Sequence, residues 1–264
     1  MIPFLHLGPL TVPTFGLMVA AAMLIAFAVL RVDLRRWGLA IEPETLVGLP
    51  ATLGIVGAKV YHVLESPRDL MAHPSELFSQ FGFAWFGGLI AGIATFAFLA
   101  RRYGIPFLTL CDVASPAAAL GYGIGRIGCF LSGDGDYGTP TSLPWGMSFP
   151  HGLVPTTQRV HPTPLYEFAV GVIMFLILRH LGVKWFSGRA NHQAGATDGR
   201  PTLGAAPKSG SLFALFLILS GVSRFLVEFI RINPKVFLGL TNAQTASLAC
   251  ILLGILLLLN RRRS

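Results

Sequence analysis

The sequence is short of charge. Only 12% of its 264 residues are Asp, Glu, Lys or Arg, about half the share in an average soluble domain. By contrast 53% are hydrophobic. A soluble globule of this length needs far more charge to cover its surface, and the mean hydropathy of +0.65 agrees. The shortage excludes a disordered chain, a coiled coil and an ordinary cytosolic enzyme, and it leaves an integral membrane protein. Cysteine is scarce too. Cys111, Cys129 and Cys250 form an odd, scattered set with neither a disulfide framework nor zinc spacing. Internal repeats are missing, and so is the alternation of a membrane β-barrel strand. The opening MIPFLHLGPL has no Lys or Arg, so it lacks the basic n-region of a cleavable signal peptide.

Long apolar runs are abundant. A helix needs about 20 such residues to cross the hydrocarbon of a bilayer. Seven stretches qualify, at 13–30, 45–64, 83–100, 107–131, 165–181, 211–230 and 243–260. The expected fold is an all-α polytopic membrane protein of about seven transmembrane helices. Acidic residues are the rarer sign, 12 against 20 Lys and Arg. The basic surplus gathers on one set of loop ends: Arg31, Arg35, Arg36, Arg101, Arg102, Arg179, Lys184, Arg189, Arg200, Lys208 and Arg261 to Arg263. The other set holds only Arg68, Arg159, Arg231 and Lys235. Positive loops stay in the cytoplasm. This puts the N-terminus outside and the C-terminus cytoplasmic, and it makes the basic surplus a topology signal with no nucleic-acid partner implied. Residues 1–264 read as one integral-membrane domain. Residues 183–210, rich in Gly, Ala and Ser, read as a flexible cytoplasmic loop. Residues 132–163 mix Gly, Pro, Trp, Tyr, Asp and His and read as an ordered external cover.

Charge inside a span is costly and usually faces a protein interior or a wet cavity. Here it comprises Lys59, Asp112, Arg126, Glu167, Arg224 and Glu228, with His62 close to Lys59. Arg224, Glu228 and Arg231 sit at helical spacing in RFLVEFIR and put plus, minus, plus on one face. An ion pair that only neutralises itself would look the same. Arg126 lies among Gly121, Gly123, Gly125 and Gly128. Close helix packing explains some of these glycines, but not an arginine among them. A guanidinium there suits an anion, and the anion available in a bilayer is a lipid phosphate. Asp134 and Asp136 in SGDGDYG lack the later ligands of a calcium loop; a tight Asx turn accounts for at least one. No metal and no cofactor are expected. In WFGGLIAG, Gly88 and Gly92 make a small-xxx-small packing pair. His161 alone is an ordinary loop histidine, and next to an anionic-lipid site it becomes a candidate cation. Tyr166 suits the interface belt.

These segments together resemble one family, the bacterial prolipoprotein diacylglyceryl transferases. LGPLTVPTFGLM is similar to the family's opening, VGAKVYHVL to its second span, and WFGGLIAG to its HGGLIG segment. GRIGCFLSGDGDYG is similar to GRxGNFxNxExxG, HPTPLYE to HPSQLYE, SRFLVEFIR to RFxxEFxR, and TNAQTASL to the start of the last span. The resemblance covers nearly the whole chain. It implies transfer of a diacylglyceryl group from phosphatidylglycerol to the lipobox cysteine of a prolipoprotein signal peptide, with glycerol 1-phosphate leaving, in the bacterial inner membrane. Arg126 would grip the phosphate, Arg224 would stabilise the departing glycerol phosphate, and Glu228 would orient Arg224. Asp134 and His161 join them as catalytic candidates. Gly87, Gly88, Gly125 and Gly138 would give the headgroup room, and Lys59, Tyr166, Glu167 and Arg231 would line the substrate site.

The sequence departs from the family pattern at three polar positions. Phe86 stands for the family's His, Cys129 for its Asn, and Phe15 for its Tyr. The signature is one residue longer, which leaves Asp134 and Asp136 both open as its Glu. Either the proton passes through His161, His62 or Glu167, or the acceptor has changed. A phospholipid-binding protein without catalysis is the third reading.

Overall fold

The computed structural model describes residues 1–65, 84–194 and 208–263. Among them are seven long helices: α1 (Thr14–Trp37), α2 (Pro43–Glu65), α3 (Trp85–Tyr103), α4 (Phe107–Ser132), α5 (Thr163–Ala194), α6 (Ser211–Val227) and α7 (Asn242–Arg263). This is the polytopic helical fold expected. Six of the helices are long and apolar enough to cross a bilayer. The exception, α3, has 19 residues and carries Arg101 and Arg102 in its last turn, which makes it too polar to qualify by composition alone. Gly104 closes α3 in the left-handed region at φ 63°, donating to the carbonyls of Ala100 and Arg101, a stop that glycine makes at no steric cost.

Two boundaries differ from expectation. Helix α5 continues to Ala194, well into the stretch read as a loop from residue 183; residues 195–207 lie outside the described ones. Helix α6 gives way at Glu228 to a 3₁₀ turn, Glu228–Ile230, which tightens the backbone where three charged side chains must converge. The fold also holds three antiparallel hairpins, each of two strands: β1 (Phe4–Leu7) with β2 (Leu10–Pro13), β3 (Met147–Phe149) with β4 (Thr156–Val160), and β5 (Lys235–Phe237) with β6 (Leu240–Thr241). Each is too short to carry an alternating pattern that stands out from its apolar surroundings. All three adjoin helix ends on the side poor in basic residues.

The chain forms two compact units, residues 1–37 with 112–264, and residues 38–111. In the smaller unit α2 and α3 touch through glycine. A Cβ on Gly87 would lie 2.2 Å from the carbonyl oxygen of Gly57, so nothing larger fits. In the larger unit α4 and α5 meet where a Cβ on Gly171 would lie 2.9 Å from the Cα of Gly123. Beside them Ala119, Met174, Leu178 and Leu212 form a buried core.

Asp112 ties α4 to α6. It is fully buried, and its carboxylate accepts the backbone N–H groups of Gly210 and Phe213, the latter at 2.8 Å. A carboxylate at a helix start satisfies orphan amides and meets the positive end of the helix dipole. The contact fixes the axial position of α6, whose other end carries Arg224. Asp112→Ala strips those amides of their acceptor and should cost about 1–3 kcal/mol. Asp112→Asn, which can still cap, should recover most of it. Thermal unfolding of the purified protein checks this; equal melting of the Ala variant and wild type would remove the role.

Candidate active site

Of the charged groups expected inside the spans, Arg126, Glu167, Arg224 and Glu228 converge in the larger unit, whereas Asp112 sits at the other end of α6 and Lys59 belongs to the smaller unit. Tyr122 and Arg126 occupy successive turns near the end of α4, and the Arg126 guanidinium lies 4.9 Å from the centre of the Tyr122 ring. Glu167 projects from the first turns of α5, Arg224 from the last turn of α6, Glu228 from the 3₁₀ turn, and Arg231 from the residue after it.

Glu167 is the hub. Its Oε1 accepts from Arg224 Nη1 at 2.9 Å and from the Tyr122 hydroxyl. Its Oε2 faces Arg231 Nη1 at 3.3 Å and Arg126 Nε at 3.6 Å. Glu228 forms a second centre: Oε2 lies 3.0 Å from Arg224 Nη2 and 3.8 Å from Arg231 Nε, while Oε1 accepts from Asn233. Asp136 forms the third, with one carboxylate oxygen on Arg126 and the other on Arg231. Three guanidiniums thus meet three carboxylates. The side chains of Glu228 and Glu167 are 0% and 5% exposed, whereas Arg126 and Arg224 keep 18% and 25% of theirs open and Asp136 keeps 30%.

Asp134 and Asp136 divide the labour that the sequence left undecided. Asp134 makes the Asx turn, accepting the Asp136 N–H at 3.2 Å, and burial pushes its carboxyl above the ordinary range. Burial also acts on Asp136, but the hydrogen bond and charge of Arg231, with the charge of Arg126, prevail and hold it below that range. The sequence had left Asp136 open beside Asp134, and it did not single out Tyr122, which joins the cluster through Glu167. The i,i+4 spacing of Tyr122 and Arg126 was the available signal for the second.

His161 pairs through its backbone with Gly138 and Thr139. Its Nδ1 lies 3.3 Å from the Tyr166 hydroxyl, which also receives the Trp145 indole N–H at 2.8 Å. This polar chain belongs to the connection between α4 and α5 that carries β3 and β4. Packing requires glycine at 138, since a Cβ there would lie 2.5 Å from the Ile230 carbonyl oxygen. Gly125, by contrast, faces open space, as a headgroup would need. Lys59, His62, Phe86, Gly87 and Gly88 belong to the smaller unit. There Gly87 makes the tightest interhelical contact; of the Gly88–Gly92 pair expected to pack, Gly88 lies against the Gly54 carbonyl and Gly92 faces open space. Phe86 is exposed beside Trp85.

Cys129, Asp134 and Asp136 bring a sulfur and two carboxylates within 4.8 Å of one another, the one such donor group among the described residues. Arg126 donates to Asp136 and lies 3.8 Å from the Cys129 sulfur. A guanidinium so placed opposes a cation and suits an anion.

The profile of the prolipoprotein diacylglyceryl transferases matches residues 3–260. The chain is 34% identical to the phosphatidylglycerol–prolipoprotein diacylglyceryl transferase of Bordetella avium, over 98% of this chain and 94% of that protein. It is 32% identical to the Geobacter sulfurreducens protein of the same name over 98% and 95%, and 34% identical to that of Vibrio cholerae over 96% and 88%.

Glu167→Ala would leave buried guanidiniums without their shared counter-ion. Removing one partner of a buried ion pair costs about 3–5 kcal/mol, so this variant should melt well below wild type, with Glu167→Gln between them. Unfolding curves in detergent decide it; an unshifted Ala curve would show that Glu167 is not the hub.

Proposed function

The chain belongs to the prolipoprotein diacylglyceryl transferase family, and from that premise we propose that it moves the diacylglyceryl group of phosphatidylglycerol onto the lipobox cysteine of a prolipoprotein. The observation that carries this reading is the accessible edge of the arginine cluster. Arg126 and Arg224 are held by buried carboxylates yet keep open surface, beside the bare backbone of Gly125. The orientation implied by the basic loops puts this edge at the outer side of the bacterial inner membrane, within reach of a signal peptide.

The reaction breaks the bond between the diacylglyceryl C3 carbon and its phosphate oxygen and forms a carbon–sulfur bond. The electron pair of the broken bond leaves on glycerol 1-phosphate, and the thiol proton ends on that phosphate, so charge balances. Negative charge grows on the phosphate as the bond breaks. Guanidiniums fixed in advance by Glu167 and Glu228 stabilise it without reorganising. The same positive field favours the thiolate of the incoming cysteine. Glu167 is engaged by three arginines and Tyr122, which leaves its lone pairs no room to act as the proton acceptor. Asp134 and His161 remain at the edge of the cluster for that task. The nucleophile comes from the substrate, so Cys129 serves as a buried neighbour of Arg126.

A second reading, a different acceptor, is favoured by Phe86, an exposed ring that can neither take nor give a proton. One assay separates the two. Purified protein with phosphatidylglycerol and a lipobox peptide should add one diacylglyceryl unit to the peptide cysteine, read by mass spectrometry. Glycerol phosphate release without peptide modification would favour the other acceptor, and no release at all would leave a lipid-binding protein. Arg126→Ala should lower the transfer rate about a hundredfold or more; full activity in that variant would refute its grip on the phosphate.

A further inference from the structure

The charge count of the cluster poses a problem for any anionic ligand. Arg126, Arg224 and Arg231 are already neutralised by Asp136, Glu167 and Glu228. A phosphodiester brought to this set would give it an excess negative charge in a region of low dielectric, where repulsion between like charges is strong. One carboxylate must yield. Resting on the reading above, we propose that Asp136 holds the place of the substrate phosphate in the resting site and turns away when phosphatidylglycerol binds.

Three observations single out Asp136. Glu167 and Glu228 are sealed in, with side chains 5% and 0% exposed, while that of Asp136 is 30% exposed. Its two carboxylate oxygens lie on two different arginines, Arg126 and Arg231, as two oxygens of a phosphate would. Its backbone is anchored separately: the carbonyl accepts from Thr163 and Arg231, and the N–H donates to Asp134. The carboxylate can therefore rotate to water while the loop stays in place. With Asp136 turned out, three guanidiniums and two carboxylates leave one positive charge, which matches the single negative charge of a phosphodiester. When glycerol phosphate has formed, the returning carboxylate competes for the same arginines and drives its release.

The test uses the full chain in detergent, with direct titration of phosphatidylglycerol. Asp136→Asn and Asp136→Ala should bind the lipid about tenfold more tightly than wild type, and Asp136→Glu no more tightly. Equal or weaker binding by both neutral variants, with melting that shows them folded, overturns the proposal. A structure of the unaltered protein with phosphatidylglycerol bound needs no variant. It should show the phosphate on Arg126 and Arg231 with the Asp136 carboxylate off both, and a carboxylate still seated there beside the phosphate refutes the idea. The transfer assay is separate. Tighter binding by the neutral variants in a protein that modifies no peptide would sink the proposed function and leave this proposal standing; transfer without tighter binding would do the reverse.

Discussion

Everything in the candidate site depends on one buried carboxylate. Glu167 touches Arg224 and Arg231 and faces Arg126, and these residues come from three separate segments of the chain. A guanidinium within the bilayer region is costly unless compensated. Without Glu167 the three would keep only Asp136 and Glu228 as counter-ions and would carry one uncompensated positive charge. With Glu167 between them, repulsion becomes mutual attraction to a shared centre. The geometry is then fixed before any ligand arrives, which is the condition under which charges stabilise a transition state most effectively.

The bundle around the site exists to hold that geometry, and small residues let it do so. The close approach of α4 and α5 at Gly123 and Gly171 brings the Arg126 turn within reach of Glu167. At the opposite end of α6, Asp112 accepts the first amides of the helix. At 1.5 Å per residue the 17 residues of α6 span roughly 25 Å. A slip of one turn at Asp112 would carry Arg224 out of register with Glu167. Two buried carboxylates on different helices thus act at the two ends of α6, one setting its height and the other receiving its charge.

Much of this was legible in the sequence because charge is so scarce. Against apolar runs, Arg126, Glu167, Arg224 and Glu228 stand out singly, and the spans follow from length and hydropathy alone. The pairing partners did not stand out. Asp134 and Asp136 are chemically alike and two residues apart, and only the turn decides that one faces the backbone and the other the arginines. The hairpins escaped because two to five residues cannot establish a period. The extension of α5 to Ala194 escaped because VKWFSGRANHQA is polar and glycine-containing, a pattern typical of loops, while the helix had already begun in apolar sequence and only needed to propagate. Gly87 and Gly138 were read as room for a headgroup; in the structure a side chain at either would collide with the carbonyl of Gly57 or of Ile230. A glycine in a sequence announces a close approach without naming what approaches.

The departures Phe86, Cys129 and Phe15 bear on the chemistry unequally. Cys129 lies 3.8 Å from Arg126, so a weakly polar sulfur borders the cluster at the position where the resemblance puts an amide. Phe86 and Phe15 make no ion pair and take no part in the Glu167 or Glu228 centres. The groups that must meet a phosphate, the three arginines and their buried counter-ions, are all present and mutually engaged. What has been lost are neutral polar side chains, which can orient a substrate or relay a proton but supply no net charge. A reaction whose leaving group is a phosphate and whose nucleophile arrives with the substrate depends on charge first. In the proposed reaction the three arginines and their counter-ions serve the departure of glycerol phosphate, and the differing positions would concern how the thiol gives up its proton.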